Sequence, residues 1–368
     1  MTKALQLVLR NVRRWQLNTL AASSPRAWNL ASPAGAGVLL VLLLTGVSTL
    51  GMVIGPMPLS LEQLWTGLRR EATADPAVVM VVWEMRMPRV LLGALVGAAL
   101  AMAGAVMQGL FRNPLADPGL IGVTGGAAFG AVAYIVLGGT LLQFWGLQWG
   151  RLALPLAAFL GGAMVVWVCW HIARRHGETD VTILLLCGVA VNAIAGAGTG
   201  VLTYVANDEQ LRSLTFWSMG SLAYASWEDL SLVAPWLLWG VVFLQALARP
   251  LNAFLLGEAV AGHLGYAIQR VKRRAVLLAT LTVGAAVAVA GPIGFVGLVI
   301  PHWIRYWVGA DHRMLLPLSA LAGAALLVGA DCLSRSVVAP AELPIGLVMA
   351  LLGGPTFLAM LIRRSAAH

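Results

Sequence analysis

Two arginines, Arg86 and Arg89, stand one helical turn apart with Pro88 between them. On a helix that spacing puts two guanidinium forks on one face, a pair of groups suited to gripping carboxylates bidentately. A third arginine, Arg335, closes a distant apolar run and has Asp331 four residues before it. Two readings are open. The arginines receive carboxylates presented from outside, or they are interface anchors with apolar stems and wet heads, Arg335 pairing locally with Asp331. A second polar stretch covers residues 249–274. There Leu255, Leu256, Gly257 and Glu258 open an amphipathic piece, and Leu264-Gly265 ends it before a second short helix rich in basic residues. Two short helices between apolar runs suit docking to another protein, or lying on lipid headgroups.

What the sequence lacks is as informative. No Asp, Glu, Lys or Arg falls in the middle of an apolar run. Such a charge costs roughly 2.5–3.5 kcal/mol at the bilayer centre and is kept for ion coupling or proton relay. An ion-coupled carrier is therefore disfavoured. The chain also has no GxxxxGK[ST] phosphate loop and no HExxH zinc motif, so neither ATP hydrolysis nor metalloenzyme chemistry is expected of it. Its cysteines, Cys169, Cys187 and Cys332, lie in apolar runs without metal-ligand spacing and read as small packing residues. No enzyme activity, metal or cofactor is expected in this chain; if it transports actively, ATP and magnesium must be bound by a partner.

These residues must be positioned by membrane spans. The sequence is 60% hydrophobic and 11% charged, with 41 glycines, which no ordinary soluble domain shows. Its net charge of +9 is scattered between apolar runs, as membrane topology demands, and does not form a nucleic-acid face. Uncharged runs place spans at 35–54, 90–111, 118–138, 152–171, 181–206, 230–248, 313–330 and 343–362. The long run 275–304 gives two more if it turns at Gly291-Pro292-Ile293-Gly294. Residues 213–227 are apolar but too short to cross, and read as a half-helix. Ten spans (all-α, polytopic) follow, with residues 1–34 as a basic N-terminal tail and 35–364 as the ten-helix membrane domain.

With both ends cytoplasmic, inner segments hold seventeen of the 24 Lys and Arg residues and outer segments seven. That asymmetry sets the orientation. The block Gly97-Ala-Ala-Leu-Ala-Met-Ala-Gly104 is matched by Gly284-Ala-Ala-Val-Ala-Val-Ala-Gly291, with Pro114 and Pro301 ten residues beyond each. Spans 2–5 and 7–10 then form an inverted repeat, a transporter habit.

Taken together, RMPR, GAALAMAGAVMQGLFRNPLADPGLIGV, the LLGE…LGY loop, GPIGFVGLVIPHWIRYWVGADHR and AELPIGLVMALLGGPTF closely resemble the FecCD-type permeases. These are membrane subunits of bacterial ATP-binding-cassette (ABC) importers for ferric siderophores, haem and cobalamin. The likeness covers about 61–364, leaving the N-terminal tail outside. It implies a homodimer in the bacterial inner membrane, embedded in lipid. Two ATPase subunits sit below and a periplasmic substrate-binding protein above. It implies that Arg86, Arg89 and Arg335 receive acidic residues of the binding protein. It implies that Leu255, Leu256, Gly257, Glu258, Leu264 and Gly265 belong to ATPase-coupling helices, and that a pore at the dimer axis is lined by span 5 and the half-helix. The cytoplasmic gate falls around Asn113, Leu115 and Thr179. Glu178 and Asp180 stand where the family pattern has small hydroxyl residues, a departure at the gate. The wording of FRNPLADPG and GADHRMLLP is similar to haem permeases, which makes haem the expected cargo over a siderophore or a corrinoid.

Overall fold

The computed structural model describes residues 32–71, 74–144, 152–175 and 178–365. The expected tail therefore lies almost wholly outside the described residues, as do Arg151 and Gly177. Ser32 caps the first helix, α1 (Pro33–Val53), accepting from the Gly35 N–H, with Pro33 at the first position where no donor is needed. A short amphipathic helix follows, α2 (Leu61–Arg69), started by a capping box between Ser60 and Gln63.

The next helix, α3, runs from Pro76 to Leu110 in one piece, starting well before the expected residue 90. Charge made the N-terminal limit look like a span end. In the structure Arg86 is bonded to backbone carbonyls and Arg89 to a carboxylate of this chain, so neither forces the helix to stop there. Pro88 is accommodated by a wide turn over Val81–Arg86, where the Met87 N–H reaches back to the Val82 carbonyl. A π-type turn gives the proline ring room that an α turn would deny it.

Span 3 starts later than expected. Asp117 caps a 3-10 turn at Pro118–Ile121, Gly122 turns the chain at φ +98°, and α4 (Val123–Phe144) begins after it. Two helices follow as read, α5 (Ala153–Ala173) and α6 (Val181–Val205), joined by a two-residue hairpin of β1 (Arg174–Arg175) and β2 (Glu178–Thr179). The half-helix is α7 (Asp208–Ser218), earlier than the expected 213–227. Asn207 and Gln210 form a capping box that starts it, and Gly220 at φ +70° turns the chain after it. The chain continues with α8 (Trp227–Gln245), α9 (Ala248–Leu255), α10 (Glu258–His263) and α11 (Ile268–Ala290).

The second short basic helix expected after Gly265 does not exist as a separate element. Gly265 at φ +88° follows the end of α10, and after the short break at 264–267 the basic residues 270–274 are continuous with the span as the first turns of α11. Gly291 and Phe295, both at positive φ, then make the expected turn into the short α12 (Val296–Val308). The last two helices are α13 (His312–Ser336) and α14 (Ile345–Ser365).

Eight of these helices are long and apolar enough to cross a membrane; α4 is apolar over Val123–Gly138, and α12 has only 13 residues. The centre is built on α3 and α13, each with 78% of its most apolar stretch buried, against 17% for α6. Small residues let these helices touch. A Cβ on Gly97 would sit 2.8 Å from the Gly323 carbonyl carbon, and one on Gly104 would sit 2.5 Å from that of Gly297. The matched glycine blocks are not equivalent in detail. Gly104 lies inside α3, whereas Gly291 caps α11; Pro114 is in a turn, whereas Pro301 is inside α12. The repeated sequence marks two inner helices that pack on each other, not two copies of one local structure.

Candidate functional site

The three arginines do meet, although almost 250 residues separate Arg89 from Arg335. All are buried, at 4%, 8% and 3% exposure for Arg86, Arg89 and Arg335. Arg89 donates from Nε to Asp331 Oδ1 at 3.0 Å and from Nη1 to Glu342 Oε1 at 3.0 Å. Arg335 Nη2 lies 3.0 Å from the other Asp331 oxygen, and its Nη1 donates to the Ile54 carbonyl at 3.2 Å. Arg86 has no acid among its partners; it donates to the carbonyls of Met52, at 2.5 Å, and Met57. An open pocket waiting for a foreign carboxylate is therefore not what these residues form. Two carboxylates of this chain, Asp331 and Glu342, already occupy Arg89, and Arg86 closes the end of α1 against α3. Glu342 was missed because it lies beyond α13 in a loop, where no periodicity links it to Arg89.

Away from the arginine cluster, the 249–274 stretch is held by polar contacts of Asn252, Glu258, Gln269 and Lys272. Asn252 on α9 donates to Asp311 Oδ1 at 2.6 Å, and its carbonyl oxygen accepts from the His312 N–H at 2.8 Å. Asp311 caps α13, and the Arg313 N–H and Asn252 amide hold its carboxyl below the usual range. On α10, Glu258 pairs with Lys272 of α11 at 2.8 Å; the Lys272 side chain is buried. Gln269, one turn earlier, accepts from the Thr179 N–H at 2.9 Å. Gly257 at φ +106° makes the corner between α9 and α10, a conformation reserved for glycine. Around that corner Leu255, Leu256 and Leu264 are exposed, at 44%, 66% and 60%. An apolar tip on a segment between spans is a protein-docking surface in the making. None of Asn252, Gln269 or Lys272 is legible from sequence, because each acts through a partner on another element.

The gate residues separate. Asn113 is exposed and accepts from the Leu115 N–H at 3.0 Å within its own turn, with Leu115 half-buried. Thr179 is buried in β2 and bonded to α11. Among the described residues no hydrogen bond joins the two loops. The departure at Asp180 has a local cause: its carboxylate caps α6, accepting from Thr182 at 2.8 Å and Ile183 at 3.2 Å. Glu178 lines an open cavity of about 560 Å³ together with Glu258, Gly262, Gln269 and Arg270.

The FecCD transport family model matches residues 11–363. The chain belongs to the FecCD transport family. The match begins inside the segment that the motif resemblance had left out, so the family likeness extends into the basic N-terminal stretch. A relative described as the hemin transport system permease protein of Yersinia pestis is 45% identical over 332 residues, covering 89% of this chain and 94% of the relative. The cobalamin import system permease protein of Halobacterium salinarum is 43% identical over 282 residues, covering 77% of this chain and 73% of the relative. A solved ABC transporter assigned to the metal-chelate type, in an inward-facing conformation, superposes with a TM-score of 0.77. It is 33% identical and covers 88% of this chain and 97% of that one. This FecCD chain is accordingly a permease subunit of an ABC importer, a transport subunit of the inner membrane.

Proposed function

We propose that this subunit passes haem from the periplasm to the cytoplasm, as a homodimer driven by two ATPase subunits and fed by a periplasmic binding protein. The observation that carries the coupling part is the exposed Leu255-Leu256 tip beside Gly257, a docking shape for ATPases that this chain does not itself contain. The haem part rests on the hemin permease relative, which matches nearly end to end. A corrinoid is the second reading, since cobalamin permeases share similar identity, one of them over nearly the same length. Proteoliposomes holding the permease, its ATPase and its binding protein should take up haem with ATP outside the docking face and the binding protein on the other. Cobalamin in excess should not compete. ATP-dependent uptake of cobalamin or of a ferric siderophore in place of haem overturns the cargo.

In this reading both termini are cytoplasmic and α9–α10 face the cytoplasm. Arg86 is too buried to report topology, so the outer probe is Trp65 on α2, which is exposed, and the inner probe is Arg270. A cysteine at Trp65 should react with an impermeant thiol reagent added outside, and one at Arg270 only from inside. The reverse pattern inverts the topology.

Docking of the binding protein at the arginine end remains part of the proposal in a changed form. Arg89 and Arg335 are paired with the two carboxylates and Arg86 is bonded only to carbonyls, which leaves this end with an excess positive charge that draws acidic partners. For the coupling tip, Gly257→Leu forces a side chain into a φ of +106° and should cut uptake and stimulated ATP hydrolysis together. The folded dimer should persist, since the corner lies outside the spans; unchanged ATPase binding in pull-down measurements would remove the docking assignment.

A further inference from the structure

Three connections between α10, α11 and the α5–α6 hairpin form a chain of fixed joints. The first is the Glu258–Lys272 ion pair between α10 and α11, at 2.8 Å with Lys272 buried. The second is the bond from the Thr179 N–H to Gln269 Oε1, at 2.9 Å, between the hairpin and α11. The third is the hairpin itself. Arg174 pairs with Thr179 across it, the Asp180 N–H returns to the Ala173 carbonyl at 3.1 Å, and Asp180 then caps α6. Lys272 and Gln269 are three residues apart, so they lie on the same side of the first turns of α11.

We infer that Gln269 is a positioning residue that fastens the root of α6 to the α10–α11 unit, so that the two move as one body during transport. The chemistry favours this joint over its neighbours. Thr179 is buried, so its N–H has little water to turn to if the Gln269 oxygen leaves. A single backbone donor held by a side chain of another element is a joint that transmits displacement without adding bulk. What it would displace is α6, the span with the smallest share of its apolar stretch covered by the rest of the subunit. Its uncovered side carries Gly196 and Gly200, where an added Cβ meets nothing within 4 Å. Within the subunit α6 is held in mid-span by Asn192, whose amide donates to the Gly119 carbonyl at 3.2 Å, and at its root by the hairpin that joins it to α5.

The inference rests on the importer reading, through ATPase docking at the α9–α10 tip. The measurement is haem taken up per ATP hydrolysed in proteoliposomes of the complete complex. Gln269→Leu keeps the side-chain size and removes the acceptor; Gln269→Glu keeps an acceptor for the Thr179 N–H. We expect the leucine variant to lower the ratio at least about fivefold, the lower range of ordinary coupling energies, with the glutamate variant near the parent. A lesion that only loosened the fold would lower uptake and hydrolysis together and leave the ratio alone. A second variant removes dependence on how well the leucine form folds. Glu178→Cys with Gln269→Cys, in a chain whose Cys169, Cys187 and Cys332 are alanine, loses the natural bond and can be bridged by a short bifunctional thiol reagent, since both positions line the same open cavity. Bridging should restore the ratio if hairpin and α11 move as one body. A parent-like ratio in Gln269→Leu, or a bridge that halts uptake, overturns the inference while leaving the importer intact. A parent complex without ATP-dependent haem uptake instead fails the haem reading, so the two failures are distinct.

Discussion

Replacing Arg89 by alanine is expected to destabilise the folded permease by roughly 3–5 kcal/mol, the range for removing one partner of a buried ion pair. Asp331 has 3% of its side chain exposed and shares its two oxygens between Arg89 and Arg335. Without Arg89 it keeps only one cation, and Glu342 loses its hold on α3. Arg89→Lys should recover part of the loss, since a point charge cannot fork to two carboxylates at once. Arg86→Ala should cost less, about 1–3 kcal/mol, because it leaves two carbonyls unpaired and no uncompensated charge. Unfolding midpoints of the purified protein in one detergent give the order directly. A parent-like midpoint for Arg89→Ala would mean that this cluster is not what ties α3 to α13. The result also bears on binding-protein docking. Loss of docking in an Arg86→Ala, Arg89→Ala double variant is interpretable only if the midpoint shows that the fold has survived.

The second large effect is steric. Gly104→Val should prevent assembly of the inner helices, because its Cβ meets backbone atoms of Gly297 on α12 and backbone cannot rotate away. Overpacking costs about 1–3 kcal/mol in cores that can adjust, and this contact lies at or beyond the upper end. Gly97→Val should behave alike against Gly323 on α13. Gly196→Ala is the matched control. Its Cβ would meet nothing within 4 Å, so the monodisperse fraction on size exclusion should equal the parent's. Equal yields of folded protein from Gly104→Val and Gly196→Ala would show that α3 and α12 do not approach as closely as described.

Taken residue by residue, the sequence determined the class and the sites of turning. Long uncharged runs have only the bilayer as a solvent, so α5, α6 and α8 fall close to where hydropathy puts them. Gly265 and Gly291 marked real breaks, since only glycine takes those backbone angles without strain. The sequence also supplied the family, because five motifs in order carry more than composition can. Tertiary structure alone decided what the charges do. Arg86 and Arg89 read as exposed because a charge ends an apolar run. Whether it meets water or a carboxylate 242 residues away depends on which helices pack together, and no local pattern encodes that. The same holds for Glu258 with Lys272 and for Thr179 with Gln269, where α11 begins earlier than its hydropathy suggests. A helix boundary follows hydropathy only while its charged residues stay unpaired; once packing supplies a partner, the backbone is free to run on, and only the folded chain shows that it does.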